Sequence, residues 1–285
     1  PAEGMVLLLL PCSARKPYHW SNSHRRFHRT LRSLNNWLAL HVVSVTSPLG
    51  LVPRELEMLH PAAHYDVGVT GHWDANEREI FGRQLERLCS EDSYKKAVVH
   101  AGSASKMLTV LLQERGIEVL DTGAERPASG AGLNALGAAC RTALRGVASL
   151  SGHNRSRGEA TGLAQVQFGE LAASLLTAPV QGRWPRLRLG DLANFSPRIG
   201  GFALTVQGAA KLVEAGGPVI KAGKFQLRGD LFAAGVTGVR GEFRNGDQVA
   251  VEQGGEITAV GIARMAPREM VTMERGLAVE VRNRG

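Results

Sequence analysis

Between Pro11 and His24 the chain gathers a thiol, an amine, a phenol, hydroxyls and an imidazole, in Cys12, Lys16, Tyr18, Ser21, Ser23 and His24. A thiolate is a strong nucleophile toward an electrophilic carbon, and an amine can then displace it, so that one hard step becomes two easier ones. Arg15 and Lys16 beside Cys12, and a helix start close by, are expected to favour the thiolate. The competing expectation is that Cys12 is a small buried hydrophobe at a strand end. His24 has the chemistry of a general acid or base, or it is simply a helix-start side chain, and Ser21 or Ser23 is a candidate helix cap. His24 and His28 stand at a chelating spacing, but Arg25, Arg26 and Arg29 would repel a divalent cation, so no metal site is expected. Those arginines offer either a phosphate-facing edge or an ordinary solvated face.

Two further polar loops are candidates for the same site. Ser44 to Glu57 includes Ser47, Pro48, Arg54 and Glu55. Arg54 and Glu55 could hold a charged or purine-like ligand, with an exposed ion pair as the plain alternative. Gly68 to Asp74 includes His72, a proton carrier, and Trp73, a stacking surface that could equally pack on the following helix. His60 and His64 are also four apart, but Pro61 interrupts any continuous helix there. There is no glycine-rich dinucleotide fingerprint, phosphate loop or nucleophile elbow, which disfavours the enzymes built on them.

The elements that must position these loops read as an α/β domain over residues 1–150. Expected strands are Met5 to Leu10, His41 to Val45, Tyr65 to Val69, Lys96 to His100 and Ile117 to Leu120, with helices over Ser23 to Leu38, Glu77 to Leu88 and Ser103 or Ser105 to Gly116. Short apolar runs alternating with amphipathic stretches predict a parallel sheet with helices on both faces. Ligands bind at the carboxyl ends of strands in such sheets, and all three loops are expected at that edge.

Gly146 to Thr161, rich in Ser, Gly, Asn and Arg, reads as a linker or mobile loop, and Leu163 to Leu176 as a helix. Residues 151–216 are expected to form a small α+β connector domain, with a strand at Phe202 to Val206 and a helix at Gln207 to Ala215. Residues 217–285 carry short strands at Val219 to Lys221, Val236 to Arg240, Gln248 to Glu252, Glu256 to Arg264 and Leu277 to Arg282. Gly254-Gly255 is a two-residue hairpin signal, and the whole reads as a small β-barrel.

The 285 residues carry 34 Lys and Arg against 26 Asp and Glu, a net charge of +8 that suits a polyanionic partner. Three cysteines at long spacings, with no Cys-x-x-Cys pair, argue against a disulfide framework or structural zinc and favour a reducing, cytoplasmic setting. The longest apolar run, Met5 to Leu10, is far short of a membrane span, and no membrane partner is expected. The chain starts at Pro1 without an initiator methionine, which leaves processing or an upstream region open.

Pro11-Cys12, Lys16-Pro17-Tyr18, Ser21 and His24 together resemble the pattern Pro-Cys-x3-Lys-Pro-Tyr-x2-Ser-x2-His of the archaeosine synthases, archaeal paralogues of the tRNA-guanine transglycosylases. Ser47 to Leu56 and Tyr65 to Trp73 look like that family's core, and Gly223 to Asp230, Gly235-Val236 and the strand ending at Arg264 resemble a PUA domain. The family pattern begins with a large transglycosylase-like domain that this sequence does not include. The resemblance implies addition of an amine, lysine first and glutamine or ammonia otherwise, to the nitrile of 7-cyano-7-deazaguanine at position 15 in the D-loop of tRNA. In this reading Cys12 is the nucleophile, His24 moves protons and Lys16 and Tyr18 stabilise the developing nitrogen anion, with Ser21 in the same motif. Ser47, Pro48, Arg54, Glu55, His72 and Trp73 would hold the base, and Lys221, Lys224, Arg228, Arg240 and Arg268 the RNA. No cofactor is expected. Partners would be tRNA, the amine donor, a transglycosylase-like subunit and a radical-SAM enzyme, with a homo-oligomer left open. The alternatives are a non-catalytic tRNA-binding subunit and a nucleotide-binding α/β protein unrelated to tRNA.

Overall fold

The computed structural model describes residues 4–65, 73–89 and 94–285. They fall into two compact units, Pro1–Glu159 and Ala160–Gly285.

The first unit is a five-stranded sheet built on β1 (Val6–Pro11), whose run of aliphatic residues is buried on both faces, as a central parallel strand requires. β1 lies between β2 (Leu40–Thr46) and β4 (Lys96–Val99), both parallel to it, and β5 (Glu118–Asp121) extends the sheet beyond β4. The other edge is β3 (Gly50–Pro53), which runs antiparallel to β2 with Thr46 opposite Gly50 and Val43 opposite Pro53. The sheet is therefore mixed. The loop expected to stay at one edge instead turns within Ser47 to Leu49 and runs back along β2. Of the expected strand Tyr65 to Val69, residues 66–69 lie outside the described residues.

Helices cover both faces. α1 (Asn22–Arg32) presents Phe27 and Leu31 to Val6, Leu8 and Leu10, joined there by Leu136 and Cys140 of α4 (Gly130–Ala143). On the other face α2 (Ala75–Leu88) and α3 (Ser105–Gln113) bring Phe81, Leu85, Leu108 and Leu112 against Leu7 and Leu9. α1 ends short of the expected Leu38 because Asn36 adopts φ 59° and hydrogen-bonds the backbone of Val147, Ala148 and Leu150. Neither expected serine caps α3, since Ser105 Oγ accepts from the Ala101 amide instead.

The stretch expected as a linker holds the start of α5 (Gly152–Phe168), and the division between the units falls within this helix. Arg155, Ser156, Ala160, Leu163 and Ala164 are its buried residues, a helical stripe partly written in Arg and Ser. Arg155 donates to the Leu40 carbonyl at 3.2 Å and to Glu159 at 2.7 Å, which satisfies its buried guanidinium.

In the second unit α6 (Ala172–Leu175) precedes an antiparallel meander of β6 (Val180–Gln181), β7 (Arg188–Leu189), β8 (Ala193–Ser196) and β9 (Gly201–Leu204). α7 (Val206–Glu214) follows, capped by Thr205, which accepts from the Gly208 amide. Then come β10 (Val219–Ala222), β11 (Leu231–Phe232), β12 (Val236–Arg240), β13 (Gln248–Gln253), β14 (Glu256–Ala263), α8 (Pro267–Thr272) and β15 (Leu277–Arg284). These six strands form one sheet ordered β11-β15-β14-β13-β10-β12. Its two outermost strands, β11 and β12, are joined by only the three residues Ala233–Gly235, so the sheet must curl into a half-barrel. Gly254 and Gly255 make the two-residue hairpin with φ of 64° and 92°, the sign a twisted hairpin turn requires. No described helix is long and apolar enough to cross a membrane.

Candidate functional site

Parallel pairing puts Pro11 beside Val45, and the Cys12 amide donates to the Val45 carbonyl at 3.0 Å. Cys12 therefore emerges beside Thr46 at the carboxyl edge of the sheet. The half-buried Cys12 packs with Leu49 and Tyr65 against Tyr18, Val52 and Ala62. Tyr18 is fully buried, and its hydroxyl shares a 2.6 Å hydrogen bond with that of Tyr65, which also bonds to Thr46 Oγ1. Lys16 Nζ sits 3.8 Å above the centre of the Tyr65 ring. A thiol, an ammonium and three linked hydroxyls thus share one edge. Thr46 and Tyr65 were not among the expected site residues. Their signal was positional, since Thr46 closes the apolar run paired with the one that delivers Cys12.

Burial pushes the Cys12 thiol above its ordinary value, while the Thr46 hydroxyl and the Lys16 charge act the other way without offsetting it. The expectation of a thiolate-favouring pocket is corrected here: α1 begins ten residues downstream, and desolvation outweighs the single ammonium. Burial and the bond to Tyr65 also drive the Tyr18 hydroxyl well above the phenol range, and burial raises Tyr65.

His24 lies deeper than a proton carrier in contact with solvent would. Its ring stacks on Tyr18 at 5.5 Å, meets Phe27 edge-on, and donates from Nε2 to the Pro11 carbonyl at 2.9 Å. Burial lowers its pKa to about 4, so it is neutral near pH 7 and braces the peptide that leads into Cys12. Ser21 is the cap of α1, accepting from the His24 amide at 3.2 Å. The adjacent His19, also unforeseen, bonds through Nδ1 to Glu57 Oε1 at 2.6 Å, with Glu57 only 2% exposed.

The base-holding candidates divide. Ser47 and Pro48 form the turn between β2 and β3, beside Thr46. Gly50 closes that turn at φ +79°, and Gln84 of α2 fastens it, donating to the Leu49 carbonyl at 2.8 Å and accepting from the Leu51 amide at 2.5 Å. Glu55 is elsewhere. The return of β3 carries it to the opposite end of β2, where it accepts from His41 Nε2 at 3.1 Å. Burial alone would raise its pKa, but His41 and Arg155 reverse this and hold it at about 2. Arg54 is partly buried, and the loss of water around it lowers it to about 10, against the charges of Glu57 and Glu159. Trp73 packs edge-on against Phe81 at 5.1 Å, so its ring serves the core of the first unit. His72 lies outside the described residues. Among the described residues no group of three or more His, Cys, Asp or Glu could hold a metal ion.

On the second unit Lys221, Lys224, Arg228, Arg240 and Arg268 are all exposed. β10 pairs with β12, setting Lys221 opposite Gly238 and Arg240 opposite Val219, and α8, which carries Arg268, packs against β12. Lys224 and Arg228 flank the exposed Phe225 on the segment between β10 and β11.

A domain family of unknown function, DUF5591, matches residues 1–140, and the PUA domain matches residues 220–284. Archaeosine synthase subunit alpha of Methanosarcina acetivorans is 38% identical over 99% of this chain, and archaeosine synthase of Haloferax volcanii 32% identical over 97%. The chain is thus similar to archaeosine synthases over nearly its whole length. It spans about half the length of these archaeosine synthases, 47% and 48% respectively. Among solved structures, that of AF0587, a protein of unknown function, superposes with a TM-score of 0.71 at 26% identity, covering 99% of this chain and 94% of its own.

Proposed function

We propose that this chain is a tRNA-modifying transferase of archaeosine biosynthesis, adding an amine to the nitrile carbon of 7-cyano-7-deazaguanine at position 15 of tRNA. What supports the reading is the Cys12 edge: a thiol, an ammonium and a set of hydroxyls brought together in a homologue of archaeosine synthases. The thiol adds across the nitrile, sulfur bonding to carbon and the thiol proton passing to nitrogen, to give a thioimidate. The amine then attacks that carbon, the C–S bond breaks, and the thiolate recovers a proton from the incoming nitrogen, leaving an amidine. Lys16 and Tyr18 stabilise the nitrogen anion as it forms. Lysine is the first choice of donor, with glutamine and ammonia behind it. A cytoplasmic location goes with a tRNA substrate, and a transglycosylase-like subunit and a radical-SAM enzyme are the protein partners of this reading. The domains would be a catalytic core at 1–150, a connector at 151–216 and an RNA-binding PUA domain at 217–285.

The raised thiol pKa favours a second version, in which the amine attacks directly and Cys12 only packs. Incubating tRNA carrying 7-cyano-7-deazaguanine with this chain and lysine, glutamine or ammonium separately, followed by mass spectrometry of the nucleosides, tests the activity. A donor-dependent mass increase is expected. No product with any donor, despite tight tRNA binding, would replace the transferase with a subunit that presents the base to a partner. Intact-mass detection of a protein–tRNA adduct that disappears in Cys12→Ala separates the two chemical versions.

A further inference from the structure

Three features of the Cys12 edge bear on one residue that the motif does not contain. Tyr65 is gripped from both sides through its hydroxyl, by Tyr18 at 2.6 Å and by Thr46, and its ring carries Lys16 Nζ at 3.8 Å. A lysine side chain has four rotatable bonds and loses rotamer freedom when fixed. Lys16 hangs from a loop beside exposed Ala14 and Arg15, and without an anchor its charge would be spread over many positions. An ammonium over an aromatic face is held electrostatically by the ring quadrupole, the more firmly where water is partly excluded. The same ring packs with Cys12 against Tyr18, Val52 and Ala62.

We propose that Tyr65 is a positioning residue for the thiol: it holds the Lys16 ammonium beside Cys12, and so supplies the positive charge that favours the thiolate. The inference rests on the reading of Cys12 as nucleophile and deepens it. Among the described residues, the titratable groups that interact with Cys12 are Lys16 and Tyr18 from its own segment and Tyr65 after β3, while β2 contributes the neutral hydroxyl of Thr46. Both tyrosines are raised and uncharged near neutrality, which leaves Lys16 as the charge among the described residues that opposes desolvation there. A flexible lysine does this only if it is kept in place.

The test follows the rate of Cys12 alkylation by iodoacetamide against pH in the full chain, read on the Cys12 peptide by mass spectrometry so that Cys89 and Cys140 do not contribute. Lys16→Met and Tyr65→Leu should each move the curve to higher pH and slow alkylation at fixed pH about tenfold, the effect of one lost neighbouring charge. Tyr65→Phe keeps the ring face but loses the grip through the hydroxyl, and should shift the curve by clearly less than Tyr65→Leu. A shift in Lys16→Met without one in Tyr65→Leu overturns the positioning role, as does an equal shift in Tyr65→Phe and Tyr65→Leu. If Tyr65→Leu fails to fold, an unmoved curve in Lys16→Met alone overturns it. Failure of the transferase reading looks different: the alkylation curves behave as expected, yet wild type makes no modified nucleoside.

Discussion

The two ends of β2 hold comparably dense sets of polar side chains, joined in opposite ways. At the Thr46 end the links run through neutral hydroxyls and an aromatic face, and a thiol and an ammonium remain only partly covered. At the His41 end, His41 bonds both Tyr94 and Glu55, and Arg155 bonds Glu159, the Leu40 carbonyl and Met5 Sδ, so the groups are buried and mostly engaged with one another, Glu55 Oε2 excepted. Density of ionisable groups therefore does not mark the site. Of the two ends, it is the carboxyl edge that keeps a partly exposed thiol.

The largest test of this contrast is Cys12→Ala, which should cut formation of modified tRNA at least about a thousandfold, the scale of losing a nucleophile, with little change in melting temperature. Turnover within tenfold of wild type would mean that the thiol is packing. At the other end Glu55→Gln should lower unfolding free energy by about 3–5 kcal/mol in chemical denaturation, because breaking a buried pair strands its partner. A loss below about 1 kcal/mol would show that the His41 end is wetter than described.

Acid separates the two ends by its order of action. His24 is held at about 4 against an ordinary 6.5, so the unfolded chain binds the extra proton first. Its contribution is complete above pH 6.5 and disappears between 6.5 and about 4, a loss of roughly 3 kcal/mol. His28, lowered to about 3 by burial, adds to the same trend. Glu55, at about 2, keeps its contribution until the pH falls below 4.5 and loses it between 4.5 and 2. Urea melts from pH 7 to 3 should show the first loss flattened in His24→Gln and the second in Glu55→Gln. Coincident curves for both variants would erase the distinction. The smallest expected effect lies in the other unit, where Lys224→Ala or Arg228→Ala should each reduce the salt slope of tRNA binding by about one. An unchanged slope removes that residue from the RNA contacts.

Much of this was legible in sequence. Val6 to Leu10 announces a strand buried on both faces, and Gly254-Gly255 announces its hairpin, because each depends on a few neighbouring residues. The return of β3 was not legible. Gly50 to Pro53 is too short to display alternation, and Glu55 consequently looked like a companion of Cys12 when the backbone had carried it away. The first part of α5 was hidden for another reason: a buried stripe begun with Arg155 and Ser156 is invisible to a search for apolar periodicity, whereas its end from Leu163 was expected as helix. His24 and Ser21 were found as residues, but their partners, the Pro11 carbonyl and the His24 amide, are backbone atoms that residue types do not reveal.

The turn beside the thiol has one more implication. A β-carbon at position 50 would run into the Gln84 amide, and the positive φ there disfavours any side chain, so position 50 needs glycine whatever stands at position 84. In a set of related sequences glycine should hold at position 50, near Cys12, even where position 84 varies. Its invariance would record how a hairpin turns and say nothing of what the protein binds.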